Sequence, residues 1–307
     1  MNKVIVITGP TATGKTAFGV SLAEQLSGEV VSADSMQIYK YMDIGTAKPT
    51  QEEMRGVPHY MIDCVSPFED YSAARYVEDA AKCCDDILSR GKTPIIVGGT
   101  GLYIDSLLSG RDFALRGDEE LRASLNEEYD TLGGKVLLSR LSEFDPEAAD
   151  RLHANDKKRI VRALEIFMST GITITEHDRQ SKLVPPRYDA VKFALTFENR
   201  QDLYDRIDMR VDKMMAEGLE HEVRSLLSMG VPEKNTAMQA IGYKELVSAV
   251  NGLDSIENAV DKIKQESRRY AKRQLSWLRR DDALHWIIWK KLPDIEDALR
   301  ISTEFLS

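Results

Sequence analysis

Cysteine is scarce. The chain has 307 residues and three cysteines, Cys64, Cys83 and Cys84. None forms a C-x-x-C pair, and two adjacent cysteines cannot readily clamp a metal, so a disulfide scaffold and a cysteine zinc site are both excluded. Cys83 and Cys84 are expected to pack a helix in a reducing, cytoplasmic compartment. No apolar stretch approaches the length of a membrane span, and the N-terminus runs straight into a first strand, so neither a membrane anchor nor an export leader is expected. There are no repeats and no low-complexity tract. Positive charge is also in deficit: the net charge is −9, which argues against a protein that coats nucleic acid indiscriminately.

The basic residues that are present are concentrated. Between 262 and 280 lie Lys262, Lys264, Arg268, Arg269, Lys272, Arg273, Arg279 and Arg280 against Glu266 alone. Helical spacing puts Lys264, Arg268 and Lys272 in one row and Arg269 and Arg273 in the next. Ile263, Tyr270, Ala271, Leu275 and Leu278 form an apolar stripe behind them. A second cluster is KKRIVR, 157–162. Each cluster taken singly fits a solvated, salt-bridged face. Two on one acidic chain favour a local polyanion site such as RNA phosphates.

The sharpest motif is GPTATGKT, residues 9–16, directly after the apolar run 4–7. It fits G-x-x-x-x-G-K-[ST]. Gly9 and Gly14 let the backbone turn, so that successive N–H groups point inward and can line a phosphate cradle. Lys15 adds a point charge, Thr16 is placed to hold Mg²⁺, and the following helix presents its positive end. Ala17, Phe18, Val20, Leu22, Ala23 and Leu26 give that helix its apolar face, and Gly28 is expected to close it.

Further along, EVVSAD reads as a strand ending at Asp34. Residues 72–90 read as a helix, with Tyr76, Val77, Ala80, Cys84, Ile87 and Leu88 on one face. Residues 94–97 read as a buried strand running into GGTG. From 112 to 188 the pattern turns charged and helical. AVKFALTF then reads as a return strand, 202–229 as a helical core stripe, and LHWIIW as a late strand. The expected fold is α/β: a P-loop-type parallel sheet with helices on both faces and a mainly helical insertion. The segments are 1–111 (catalytic core, first part), 112–188 (helical insertion) and 189–307 (second part of the core, with the basic helix 261–280). The phosphate loop, Asp34 and GGTG all fall at carboxyl ends of strands, where such sheets bind ligands.

A feature missing from the motif set bears on the reaction. Phosphate-loop NTPases usually place an Asp after an apolar strand to hold Mg²⁺, yet PIIVGG ends in Gly98 and Gly99. The carboxylate facing the loop is then Asp34, on what reads as the neighbouring strand. An Asp there can deprotonate an acceptor hydroxyl in a small-molecule or nucleotide kinase, or any other acceptor. Phosphoryl transfer, alkyl transfer with pyrophosphate leaving, and RNA binding without a covalent product remain open on chemistry alone.

Six segments in order carry a resemblance: GPTATGKT, SADSMQIYKYMDIGTAKP, GGTGLY, HANDKKRIVRALEI, AIGYKEL and RRYAKRQLSWLRR. Together they closely resemble the bacterial tRNA dimethylallyltransferases (tRNA isopentenyltransferases), from the phosphate loop to about Arg280. Plant adenylate isopentenyltransferases share the loop but use a free nucleotide as acceptor. The resemblance implies dimethylallyl diphosphate as donor, its pyrophosphate in loop residues Gly9, Pro10, Thr11, Ala12, Thr13, Gly14, Lys15 and Thr16, and Mg²⁺ assistance at Thr16. The implied acceptor is N6 of the adenine 3′ of the anticodon (position 37) in tRNAs reading codons that start with U. Asp34 matches the family's base, Thr100 the threonine where donor and adenine meet, and Arg210 in RIDMR the pyrophosphate-contacting arginine. It further implies tRNA contacts by Asp34, Ser35, Met36, Gln37, Thr100, Arg122, Lys158, Arg159, Ile160, Val161 and Arg162. Gln239, Gly242 and Lys244 in QAIGYK are expected to line the tRNA path, and Arg269 and Arg273 to hold the stem backbone. Eukaryotic members carry a C-terminal zinc finger; with no cysteine after Cys84, no zinc is expected. The partners are the tRNA anticodon stem-loop and the donor, with no membrane, and a cytoplasmic monomer is expected.

Overall fold

The structure is a computed structural model that describes residues 3–110 and 118–306. The chain separates into two compact units. One comprises Met1–Leu108 with Arg187–Ser307, the other Ser109–Pro186. The expected boundary at 111–112 lies outside the described residues.

The first unit is built on strands β1 (Lys3–Thr8), β2 (Glu29–Ser32), β3 (His59–Tyr60), β4 (Pro94–Val97), β5 (Asp189–Phe197) and β6 (Leu284–Trp289). Among the described residues they form one sheet of order β3-β2-β4-β1-β5-β6, and every pairing is parallel. The inner strands are apolar on both faces because helices cover both. Ile5 and Ile7 of β1 pack with Phe18 and Leu22 of the helix Lys15–Leu26. Val4 and Val6 alternate to the opposite face and are equally buried. The helix Ala73–Ser89 buries Tyr76, Val77, Ala80, Cys84 and Ile87, and the Tyr76 hydroxyl donates to the Ser32 carbonyl at 3.1 Å.

Asp34 follows β2, which pairs with β4, the strand that ends in Gly98 and Gly99; β4 in turn separates β2 from β1, so the GGTG turn stands between Asp34 and the phosphate loop. Two local expectations are corrected. The first helix is closed by Ser27 in a left-handed conformation, not by Gly28. Gly28 instead presses on the Thr93 carbonyl, which a β-carbon there would meet at 2.7 Å. The stripe at 202–229 is two helices, Arg200–Ala216 and Leu219–Ser228. Gly218, at φ 102°, breaks them because a residue in that region cannot continue a right-handed helix. The two-residue strand β3 carried no signal in the sequence, being too short for any alternation to register.

The second unit consists, among its described residues, of the helices Glu119–Leu132, Gly134–Ser142, Pro146–Arg151, Lys157–Thr170 and Ile174–Leu183. Its own core gathers Leu125, Leu137, Leu141, Ile160, Val161 and Leu164.

Candidate active site

Three loops leave the carboxyl ends of adjacent strands in the order β2, β4, β1, and bring Asp34, Thr100 and the phosphate loop into one row. The phosphate loop is held from every side. Gly9, at φ 147°, lies against β5, where a β-carbon would meet the Leu195 carbonyl oxygen at 2.5 Å. Gly14, at φ 85°, opens the helix. The Pro10 carbonyl accepts from the Thr13 hydroxyl at 2.8 Å and from Lys15 Nζ at 2.7 Å. The Ala12 carbonyl accepts from Arg206 Nε at 3.0 Å. The Thr13 carbonyl accepts from the Trp289 indole N–H at 2.9 Å.

Cations converge on this loop. Burial, with Arg210 close by, pushes the Lys15 ammonium down to about 7, and Asp34 partly opposes the shift. Burial also holds the Arg210 guanidinium below its ordinary range, with Arg206 acting in the same sense and Asp34 against it. Arg210 forms no hydrogen bond or ion pair among the described residues. Its acidic helix neighbours are engaged elsewhere, Asp205 with Gln201 and Asp208 with Arg268. Several cations held in a partly desolvated site, offset by Asp34 and, at Arg210, by Glu53, suit a polyanionic ligand.

Asp34 is fixed by its backbone. Its Oδ1 accepts from the N–H groups of Met36 at 2.9 Å and Gln37 at 3.3 Å. The Thr100 N–H donates to the Ala33 carbonyl, and the Thr100 hydroxyl accepts from the Ser35 N–H. The Tyr270 hydroxyl, on the basic helix, lies near Thr100. Gly98 has no room for a side chain: a β-carbon would meet the Ala33 carbonyl oxygen at 2.2 Å.

The Gln37 amide is occupied internally. Its Oε1 accepts from the Ser32 hydroxyl, and its Nε2 donates to the carbonyls of Thr46 and Ala47. The segment that supplies those carbonyls hangs on Glu222, whose carboxylate accepts from the N–H groups of Asp43, Ile44 and Gly45 and from the Tyr243 hydroxyl.

The basic helix is Ile256–Leu278, and its expected phosphate-facing row is divided. Lys264 pairs with Asp212 at 2.5 Å and Arg268 with Asp208. Residue numbers rise on one helix as they fall on the other, so this is an antiparallel zipper onto Arg200–Ala216. Arg269 pairs with Glu266, and Arg273 lies over the Tyr270 ring at 5.6 Å. Among the described residues Lys272, Arg273, Arg279 and Arg280 form no ion pair. Gln239 and Lys244 are exposed; Gly242, at φ 100°, starts the helix Tyr243–Val250.

In the second unit Glu165, 1% exposed, accepts charge from both Arg122 at 2.9 Å and Arg162 at 3.0 Å. Burial alone would raise the Glu165 carboxyl, but the two guanidiniums outweigh it and hold it below the ordinary range. The side chains of Ile160 and Val161 lie in the core of that unit, while those of Lys158 and Arg159 are exposed.

Residues 37–281 match the IPP transferase family, and 2–66 match the isopentenyl transferases. The chain belongs to the IPP transferase family. It is 47% identical over 307 residues to the tRNA dimethylallyltransferase of Caldanaerobacter subterraneus subsp. tengcongensis, covering 99% of this chain and 98% of that protein. The full-length tRNA isopentenylpyrophosphate transferase from Bacillus halodurans superposes with a TM-score of 0.75 at 40% identity, over 100% of this chain and 96% of that one. A eukaryotic dimethylallyltransferase acting on tRNA superposes with a TM-score of 0.85 at 29% identity, over 99% and 79% of the respective chains. Membership of the IPP transferase family displaces the kinase reading of the phosphate loop. Arg206, Gln274 and Trp289 escaped sequence reasoning. Only Arg206 left a trace, since it lies four residues before Arg210 and therefore on the same helix face.

Proposed function

We propose that this chain transfers a dimethylallyl group from dimethylallyl diphosphate to N6 of adenine 37, 3′ of the anticodon, in tRNAs reading codons that start with U, and releases pyrophosphate. The observation that carries the reading is the row Asp34, Thr100, phosphate loop in a chain of the IPP transferase family: a proton acceptor on one side of a turn and a cationic cradle on the other.

The donor's C1 is allylic, so positive charge spreads over the chain as its C–O bond breaks. The negative charge grows on the pyrophosphate, where Lys15, Arg210 and the N–H groups of the loop stabilise it. Thr16, in the first turn of the helix, carries a hydroxyl that forms no hydrogen bond among the described residues, so it would suit a ligand to Mg²⁺. An ion held there would add charge neutralisation on the leaving group. Adenine N6 is a weak nucleophile because its lone pair is delocalised into the ring. As the C1–N6 bond forms, the N6 proton goes to Asp34. Oδ1 is already committed to Met36 and Gln37, so Oδ2 is the oxygen that receives it.

A stacked adenine cannot reach this row; it must swing out of the anticodon loop, at a cost of a few kcal/mol. Lys272, Arg273, Arg279 and Arg280 are the cations of the basic helix suited to the stem phosphates. Residues 109–186 form the tRNA-contacting insertion, through Lys158, Arg159 and the outer faces of Arg122 and Arg162. The enzyme works as a cytoplasmic monomer. Incubating unmodified tRNA with dimethylallyl diphosphate and the protein, then weighing nuclease digests, tests the reading. The adenine 3′ of the anticodon gains the prenyl mass; a digest with no such gain overturns it.

A further inference from the structure

Along the buried row of the basic helix, Ala259, Ile263, Ala271 and Leu278 are apolar, and Gln274 is not, although it is only 7% exposed. A primary amide buried in such a row is costly unless both of its ends are paired. Both are. Its Oε1 accepts from the Thr11 N–H at 3.2 Å, and its Nε2 donates to the Gly99 carbonyl at 2.9 Å. The amide can stand only this way round: turned over, it would set N–H against N–H at Thr11 and oxygen against oxygen at Gly99. The fit at Gly99 is close, since a β-carbon there would meet Nε2 at 2.3 Å. One residue on from Gly99 is Thr100. One residue before Gln274 is the exposed Arg273, and one turn before it is Tyr270, near Thr100.

We propose that Gln274 is a positioning residue for the transfer: it locks the phosphate loop to the 98–101 turn, so that the helix carrying Arg273 sets the distance between donor and acceptor. This rests on the transferase reading above. The two loops leave neighbouring strands, yet nothing in the ladder between β1 and β4 extends to Thr11 or Gly99, whose register ends at Ile7 and Val97. The Gln274 amide supplies the missing rung from the helix side. RNA docked on the outer face of that helix is thereby one side chain from the donor's phosphates, and displacing the rung misplaces reacting atoms rather than removing a charge.

The test uses the full chain. Gln274→Met keeps the length and removes both hydrogen bonds. Donor and tRNA dissociation constants should stay within about twofold, while the single-turnover transfer rate falls on the order of 10²-fold, as misalignment by about 1 Å does. Amide exchange at Thr11 should quicken with no change at β5. Gln274→Glu gives a readout that packing alone would not move. Its carboxylate can accept from Thr11 but repels the Gly99 carbonyl, whereas its protonated form donates to it. The ratio of this variant's rate to the parent's should rise as pH falls. A Gln274→Met rate equal to the parent's, a loss that lies wholly in either dissociation constant, unchanged Thr11 exchange, or a pH-flat ratio for Gln274→Glu each overturns the proposal. A parent that prenylates no tRNA counts against the transferase reading, and Thr11 exchange still decides whether the rung exists.

Discussion

Thr100 brackets Asp34: its N–H donates to the carbonyl of the residue before Asp34 at 3.1 Å, and its hydroxyl accepts from the N–H of the residue after it at 3.1 Å. The aspartate is thus aimed by its backbone and needs no charged partner to hold it.

Asp34→Asn should therefore fold normally, since an amide oxygen still accepts from Met36 and Gln37. The substitution removes the proton acceptor, and single-turnover transfer should slow by roughly 10²–10⁴-fold with both substrates still binding. Rate recovery on raising Mg²⁺ would show instead that Asp34 acts through the metal.

Lys15 gives a pH prediction. With its ammonium near 7 in the free protein and raised once a diphosphate lies beside it, donor binding takes up a proton above pH 7. Donor affinity should then fall with rising pH, by up to about tenfold per unit. The sign for folding is opposite. The folded value lies below the unfolded one, so the cost of burying this charge is present in full below pH 7 and is relieved as pH rises toward 10.5. Calorimetry at pH 8 in buffers of different ionisation enthalpy measures the uptake, and a value of zero would refute it. Lys15→Ala should cost about 3 kcal/mol in the transition state and abolish the pH dependence of donor binding, leaving tRNA binding intact.

The divided basic helix separates two kinds of cation. Arg273→Glu should weaken tRNA binding and flatten its dependence on salt, because fewer counterions are released. Arg268→Ala breaks the pairing to Asp208 and should lower stability by about 0.5 kcal/mol with the salt slope unchanged. Filter binding across a salt series decides: equal slopes for the two variants would mean that the free and paired cations do the same work.

Glu165→Gln should destabilise the insertion by about 1–3 kcal/mol, since two guanidiniums lose their shared carboxylate. Because the folded carboxyl lies below its ordinary value of 4.5, this stability is present above that pH and is lost as pH falls through the lower folded value. An acid melt followed by amide hydrogen exchange within the insertion checks it; a variant that melts like the parent at pH 7 would remove Glu165 from the account.

The phosphate loop, Asp34 and the 98–101 turn could be read from the sequence because their demands are local: a strand end, a glycine, a helix start. The alternation of strands and helices gave the parallel sheet for the same reason. What stayed hidden depends on tertiary placement. No periodicity reveals that β4 slides between β1 and β2. The Glu222 cradle joins residues 43–45 to a helix some 180 positions away. Lys264 and Arg268 have the same spacing as Lys272, and only a facing helix with Asp212 and Asp208 distinguishes them. Gln274 reads in sequence as a polar interruption of an apolar stripe, and its role emerges only when Thr11 and Gly99 are brought to its two ends.

The interposed strand also works as a ruler. Neighbouring strands stand about 4.8 Å apart, so the carboxyl ends of β2 and β1 are separated by roughly 10 Å, fixed by two ladders of backbone hydrogen bonds. No side-chain substitution can stretch that interval without breaking a ladder. Mutation can change what sits at either end, but a donor with a longer hydrocarbon chain must send its extra carbons sideways, out of the line from the loop to Asp34. Selection for donor length acts on the walls of the site and not on its span.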